Sequence, residues 1–214
     1  MKKLIAGAAL AASILVAGSA ANAATVVNGS FEDGVNPGVF TTLGNNSTAV
    51  DGWLVRGAGV DYVGSYWQAK GGVRSIDLSA LLGGTIQQTI AVTVGKSYKV
   101  SFWLAGNPDG GLGNKLVATS VSGDQTNDFE FLVGAGNTHS DMGWKEYSYT
   151  FTAYDPTATL AFNSKTNTPY GPALDNVSIS AVPEPATWAM MIIGFSSAGV
   201  AIRRRRRETS ATFA

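Results

Sequence analysis

The chain predicts an all-β fold, a two-sheet jelly-roll sandwich between two hydrophobic ends, and three observations carry that prediction. Apolar residues in the body recur every second position, which is the signature of strands with one face buried. Glycine- and Asn/Asp-rich stretches interrupt these runs at short intervals, as tight turns do. No segment of the body sustains the helical period.

Taken in order, strands are expected at 38–43, 73–78 and 85–94. The next is Ser97 to Leu104, where Tyr98, Val100, Phe102 and Leu104 face one way while Lys99, Ser101 and Trp103 face the other. Strands at 115–121 and 128–133 follow. In Glu146 to Thr152, Tyr147, Tyr149 and Phe151 alternate with Ser148, Thr150 and Thr152. Ala158, Leu160 and Phe162 repeat the scheme, and Val177 and Ile179 do so near the end. Turns are expected at 44–46, 57–59, 70–72, 106–114, 134–143 and 163–172. About nine strands at this spacing form a sandwich, and a body of roughly 160 residues suits a jelly roll better than an immunoglobulin-type sandwich of about 100.

The ends read as addresses. Residues 1–23 have the form of a secretory signal peptide: Lys2 and Lys3, an apolar segment from Leu4 to Ala17, and a small-x-small cleavage site at Ala21-Asn22-Ala23. The body then runs over 24–181. Residues 182–207 begin with the Pro183-Glu184-Pro185 turn, continue through Trp188 in an uncharged run over 186–202, and stop at Arg203 to Arg207. As a helix that run rises about 26 Å, near the lower limit for a hydrocarbon core of about 30 Å. The arginines would hold its end in the cytoplasm. A tail follows at 208–214.

Composition narrows the function. The formal charge is zero, but Lys2, Lys3 and Arg203 to Arg207 take seven of the 15 cations, and Glu184 and Glu208 take two of the 15 acids. The body therefore carries 8 cations against 13 acids, a net of −5. That argues against nucleic acid as a partner and against an anionic membrane surface. The chain has no cysteine, which excludes thiol nucleophiles, thiolate zinc and iron–sulfur ligation.

Two resemblances rest on these residues. The order of Pro-Glu-Pro turn, apolar span and Arg block resembles the PEP-CTERM sorting signal of Gram-negative bacteria. It implies export, with an exosortase-type membrane protease cutting near the turn after signal peptidase has acted at the other end. An ordinary, uncut single-span anchor is the alternative. The body, through Asn28-Gly29-Ser30-Phe31-Glu32, Val60-Asp61-Tyr62, Gly64-Ser65-Tyr66-Trp67-Gln68, Arg74-Ser75-Ile76-Asp77-Leu78, Gln87-Gln88 and Gly171-Pro172-Ala173-Leu174-Asp175-Asn176-Val177, is similar to the choice-of-anchor C proteins. These are akin to a domain of unknown function in plant cell-wall proteins. The resemblance implies a galactose-binding-like jelly roll. It also implies one structural calcium ion, held by Glu32 and Asp175 with backbone oxygens near Ser30. The plainer reading, in which Glu32 caps a turn and Asp175 accepts backbone hydrogen bonds, stays open beside it.

Catalysis finds little footing. The single histidine, His139, lies in a loop and reads as a solvated polar residue, and no strand–turn–helix Gly-x-Ser-x-Gly exists. Glycoside hydrolysis needs only two carboxylates, and Asp51, Asp61, Asp77, Glu130 and Glu146 are available, but no pair stands out. Sugar binding uses aromatic faces with a few polar groups. The candidates are Tyr62, Tyr66, Trp67, Gln68 and Arg74 in one Gly-rich stretch, and Trp103 on the face expected to be wet. Trp53, Trp144 and Tyr170 are further available aromatics. The expected function is a non-catalytic, surface- or matrix-associated protein that binds extracellular polysaccharide. Its alternatives are a structural matrix unit without a sugar site and a glycan-cleaving enzyme.

Overall fold

The computed structural model describes residues 23–122, 126–183, 191–199 and 203. These contain β1 (Phe40–Leu43), β2 (Leu54–Gly57), β3 (Val60–Val63), β4 (Ser75–Asp77), β5 (Gly84–Ala91), β6 (Ser97–Gly106), β7 (Gly113–Val121), β8 (Asn127–Val133), β9 (Lys145–Thr152), β10 (Thr157–Ser164) and β11 (Pro172–Ala181). Two antiparallel sheets result, one ordered β1-β3-β4-β11-β6-β9 and the other β2-β5-β10-β7-β8. The chain crosses repeatedly from one to the other, which is the jelly-roll sandwich expected. Strands β2 and β3 are additions to the expected set. Each has only four residues, with Gly57 closing β2 at φ +71° and Gly59 preceding β3 at φ +102°, so neither is long enough to display alternation.

The alternation does its work in β6, where Tyr98, Val100, Phe102 and Leu104 are at most 2% exposed. Each such side chain contributes about 1.5–3 kcal/mol of burial. The two sheets meet through aromatic rings: Phe102 of β6 lies 5.1 Å from Phe162 of β10 and 5.1 Å from Phe129 of β8. Trp53 extends this core toward Phe31, at 5.2 Å.

The N-terminal segment is fastened to the last strand without a disulfide. The Val177 N–H donates to the Gly29 carbonyl (2.8 Å), the Tyr62 hydroxyl to that of Phe31 (2.6 Å), and Trp53 Nε1 to that of Asn28 (2.9 Å). A Cβ at residue 29 would stand 1.9 Å from the Val177 oxygen, so only glycine permits this approach. Gln88 closes the other side, with its Nε2 donating to the carbonyls of Val27 and Gly52. Opposite Gly29, β11 bulges between Asp175 and Ser178, with Asn176 at φ +48°.

Residues 191–199 are helical. Among the described residues no helix is long and apolar enough to cross a membrane. Residues 1–22 of the expected signal peptide, Glu184, Pro185, Trp188 and much of the expected span lie outside the described residues; Pro183 and Arg203 are exposed.

Candidate functional site

Strand pairing orders the outer face of the six-stranded sheet into rows. Tyr62 and Ile76 point into the core, so their neighbours on β3 and β4 point out. One row runs Thr42, Asp61, Asp77, Ala173, Ala105 across β1, β3, β4, β11 and β6. Over its first half lies a cleft of about 240 Å³.

Asp61 and Asp77 form the acidic floor. Asp61 accepts a hydrogen bond from the Thr42 hydroxyl (2.5 Å), and burial raises its pKa above the usual carboxylate range. Asp77 is 1% exposed. Its Oδ2 accepts from Asn107 Nδ2 (3.0 Å) and its Oδ1 from the Ser79 N–H (3.0 Å). Burial dominates nonetheless and, with Asp61 alongside, pushes its pKa up to about 8. The glycine of the Gly171-Pro172-Ala173 segment is required here, since a Cβ at 171 would lie 2.3 Å from Asp77 Oδ1.

Aromatic rings form the walls, with Tyr66 at their centre. Its ring lies 5.4 Å from Phe40, 5.7 Å from Trp67 and 4.6 Å from His139. Its hydroxyl donates to Asp109 Oδ2 (2.6 Å), which holds the phenol proton and raises the Tyr66 pKa. The other oxygen, Asp109 Oδ1, is 2.9 Å from His139 Nε2. Asp109 sits in a short 3-10 turn over Pro108–Gly110, capped by the Asn107 side chain. Tyr170 and Leu81 complete the rim, and Phe40 and Tyr170 remain 47% and 41% exposed. His139 is therefore not a freely solvated loop residue: the 134–143 loop folds onto the 64–70 segment, with the Gln68 N–H donating to the His139 carbonyl (2.8 Å).

Of the six residues expected to bind ligand, Tyr66 and Trp67 reach this cleft. Trp67 does so as a buried wall, 5% exposed, with Nε1 donating to the Ser75 hydroxyl (2.8 Å). Tyr62 does not reach it. It is fully buried on the inner face, one residue out of phase with Asp61, and its hydroxyl is used by Phe31 and by Arg74 (2.8 Å). Arg74 is thereby tied down at a separate groove, which it lines with Gln68 and Lys70. Trp103 lies on the outer face as expected, but Lys70 Nζ sits 3.8 Å over its ring and covers it. Phe40, Asn107 and Asp109 escaped the sequence reading. The 107–111 stretch reads as a hairpin turn, and nothing local shows that its Asp reaches Tyr66.

The expected calcium ligands meet a different use. Glu32 Oε1 accepts the N–H groups of Val73 and Arg74 (2.9 Å each). Asp175 Oδ2 accepts those of Lys70 (2.8 Å) and Gly71 (3.0 Å), and Oδ1 that of Asn176 (2.6 Å). Burial, with a lesser push from Glu32, raises the Asp175 pKa to about 7. Hydrogen-bond donors thus point at the oxygens that a hard cation needs. Among the described residues no three His, Cys, Asp or Glu side chains gather as a metal site. As arranged, backbone N–H groups occupy carboxylate oxygens of Glu32 and Asp175 that a cation held with backbone oxygens near Ser30 would use.

Comparison with known proteins gives the chain a context. The family model described as "Protein of unknown function (DUF642)" matches residues 24–180, and the PEP-CTERM protein-sorting motif matches 181–206. The choice-of-anchor C name rests on the sequence resemblance alone. Halomucin of Haloquadratum walsbyi (strain DSM 16790 / HBSQ001) is 33% identical over 189 residues, which cover 85% of this chain but 2% of halomucin. Among solved structures, TmCBM61 in complex with β-1,4-galactotriose is similar with a TM-score of 0.44 and 16% identity, over 72% of this chain and 96% of that one. A family 35 carbohydrate-binding module from Clostridium thermocellum gives 0.43 and 14%, over 65% and 97%. Likenesses of this size do not bear on the ligand.

Proposed function

The chain belongs to the DUF642 family and ends in a PEP-CTERM sorting motif, and from that premise we propose an exported, non-catalytic protein that binds extracellular polysaccharide in the cleft beside Tyr66. The sorting motif marks it for export. In this reading signal peptidase removes 1–23, an exosortase-type protease acts near Pro183, and the body remains at the cell surface or in the matrix.

One observation supports the ligand class most directly: exposed rings of Phe40 and Tyr170 flank a floor of Asp61, Asp77 and Asn107. Apolar sugar faces stack on rings while hydroxyls need fixed acceptors and donors. Affinity electrophoresis of the full-length chain in neutral detergent tests it, with retardation by at least one matrix polysaccharide expected. Absence of retardation on every polysaccharide returns the body to the structural alternative.

Cleavage is the second reading, favoured by Asp61 and Asp77 lying directly opposite each other in one cleft. A retaining mechanism needs carboxyls about 5–5.5 Å apart, one acting as nucleophile. Binding is preferred because Asp77 is buried and both its oxygens already accept hydrogen bonds. Release of reducing ends, abolished by Asp61→Asn, would move the assignment to hydrolysis.

A further inference from the structure

We infer that the cleft beside Tyr66 selects a saccharide bearing a free amine, that is, a de-N-acetylated hexosamine unit in its ammonium form. The inference rests on the polysaccharide reading of this site and narrows its ligand class.

The argument is one of sign and shape. No Lys or Arg lines the cleft, whereas Asp61, Asp77 and Asp109 do. The nearby cation, Lys115, is 5% exposed and donates its Nζ to the Tyr170 carbonyl (2.7 Å), so it supports the rim from within. A uronate or sulfate brought here would face acidic side chains with no cation in the cleft itself, which costs binding. A neutral sugar would satisfy the acceptors only through hydroxyls. An ammonium does more: it donates up to three charge-assisted hydrogen bonds. It also gains from the faces of Phe40, Tyr66, Trp67 and Tyr170, because ring quadrupoles attract cations. Walls of rings around a carboxylate floor are the complement of an ammonium on a flat, hydroxylated scaffold.

The floor is adapted to receive that charge. Asp61 and Asp77 are cross-strand neighbours, Asp61 adds to the effect of burial in raising the proton affinity of Asp77, and Asn107, Ser79 and Thr42 hold the two in place. With its pKa pushed up to about 8, Asp77 retains its proton around neutrality. An arriving ammonium replaces it, so binding is coupled to proton release. His139 and Tyr66 face Asp109 on the rim, and Lys115 faces Asp77 from the inner side.

The test is titration calorimetry of the full-length chain in neutral detergent near neutral pH. The probes are β-1,4-linked glucosamine, N-acetylglucosamine, glucose and glucuronate oligosaccharides of equal length. The glucosamine oligomer is expected to bind about tenfold or more tightly than its N-acetylated counterpart. Its apparent heat should differ between buffers of different ionisation enthalpy, as proton release requires. Asp61→Asn should remove the preference while leaving the melting temperature close to that of the parent, and Tyr66→Leu should weaken every oligomer. Equal binding of the glucosamine and acetylated forms, or tighter binding of glucuronate, overturns the inference but leaves the saccharide site standing. Binding of none of the four overturns both. Competition by a simple primary amine such as ethanolamine, as strong as by the amino sugar, shows that the ring scaffold is not recognised and also overturns it.

Discussion

The outer face of the six-stranded sheet carries two neighbouring regions built from the same residue types, and only one of them is open. In the row through Asp175, Trp103 and Glu146, the aromatic ring is covered by Lys70 and the buried acid is spent on the backbone N–H groups of the 70–71 segment. In the row through Thr42, Asp61 and Asp77, rings stand at the rim and Asp61 opens onto a cleft, although Asp77 beside it already accepts hydrogen bonds at both oxygens. Trp67 divides the two, with its indole N–H fixed to Ser75. The difference shows that an aromatic and an acid on a wet face do not define a site. What defines one is whether the covering loop consumes their free valences.

Breaking the divide should have the largest effect. Trp67→Ala removes a buried ring from between the two regions and is expected to cost about 3–5 kcal/mol, as for large-to-small changes in a core. Urea or thermal unfolding measures this. Trp67 is expected from sequence among the ligand-binding residues, and its burial makes this substitution a stability variant. Asp175→Ala comes next, at about 3 kcal/mol, because it strands the N–H groups of Lys70, Gly71 and Asn176 together. The same unfolding experiment should show both losses with no change in cooperativity.

On the open side, Tyr66→Ala is the variant that separates function from folding. Its ring is only half-buried, so stability should fall by about 1 kcal/mol while retention on a bound polysaccharide weakens about tenfold. A loss of retention equal to that of Trp67→Ala, with no unfolding in either, would mean that the divide is not structural.

How much of this could be read from the chain follows the same division. The alternation in β6 and β9 made the sandwich legible, because period-two burial is written in consecutive residues. The two ends of the N-terminal staple were legible as motifs, Asn28 to Glu32 and Gly171 to Val177, though not the partners of their carboxylates. The cleft was half legible: Tyr66 and Trp67 share one Gly-rich stretch, but Phe40, Asp109 and His139 reach them from three other segments of the chain. That convergence depends on register, which no local pattern records. Tyr62 misled because it adjoins Asp61 in sequence, while a strand sends adjacent side chains to opposite faces.

A pH dependence sharpens the comparison further. Asp77 has a folded-state pKa of about 8, well above its unfolded value near 4. The folded protein therefore binds this proton more tightly, and the resulting stability is fully present below about pH 4 and lost as pH rises through about 8. Asp175, at about 7, acts in the same direction. Melting temperature should thus decline from mildly acidic to mildly alkaline pH, and Asp77→Asn should flatten the upper part of that decline. A melting temperature that instead rises over this interval would show that the cleft acids are stabilised as anions.

The smallest effect expected is none, and it concerns calcium. Were Glu32 and Asp175 ligands of a structural ion, chelation would release the N-terminal segment from β11 and lower the melting temperature by the linkage between binding and folding. In the arrangement seen, five backbone N–H groups already point at three carboxylate oxygens of these two residues. The staple is then complete without a cation, and excess chelator should leave the transition where it was. A drop that calcium restores and magnesium does not would require the 70–74 segment to turn its N–H groups away. The covered half of the sheet would then prove to be the metal-dependent half, and the open cleft the one that folds on burial alone.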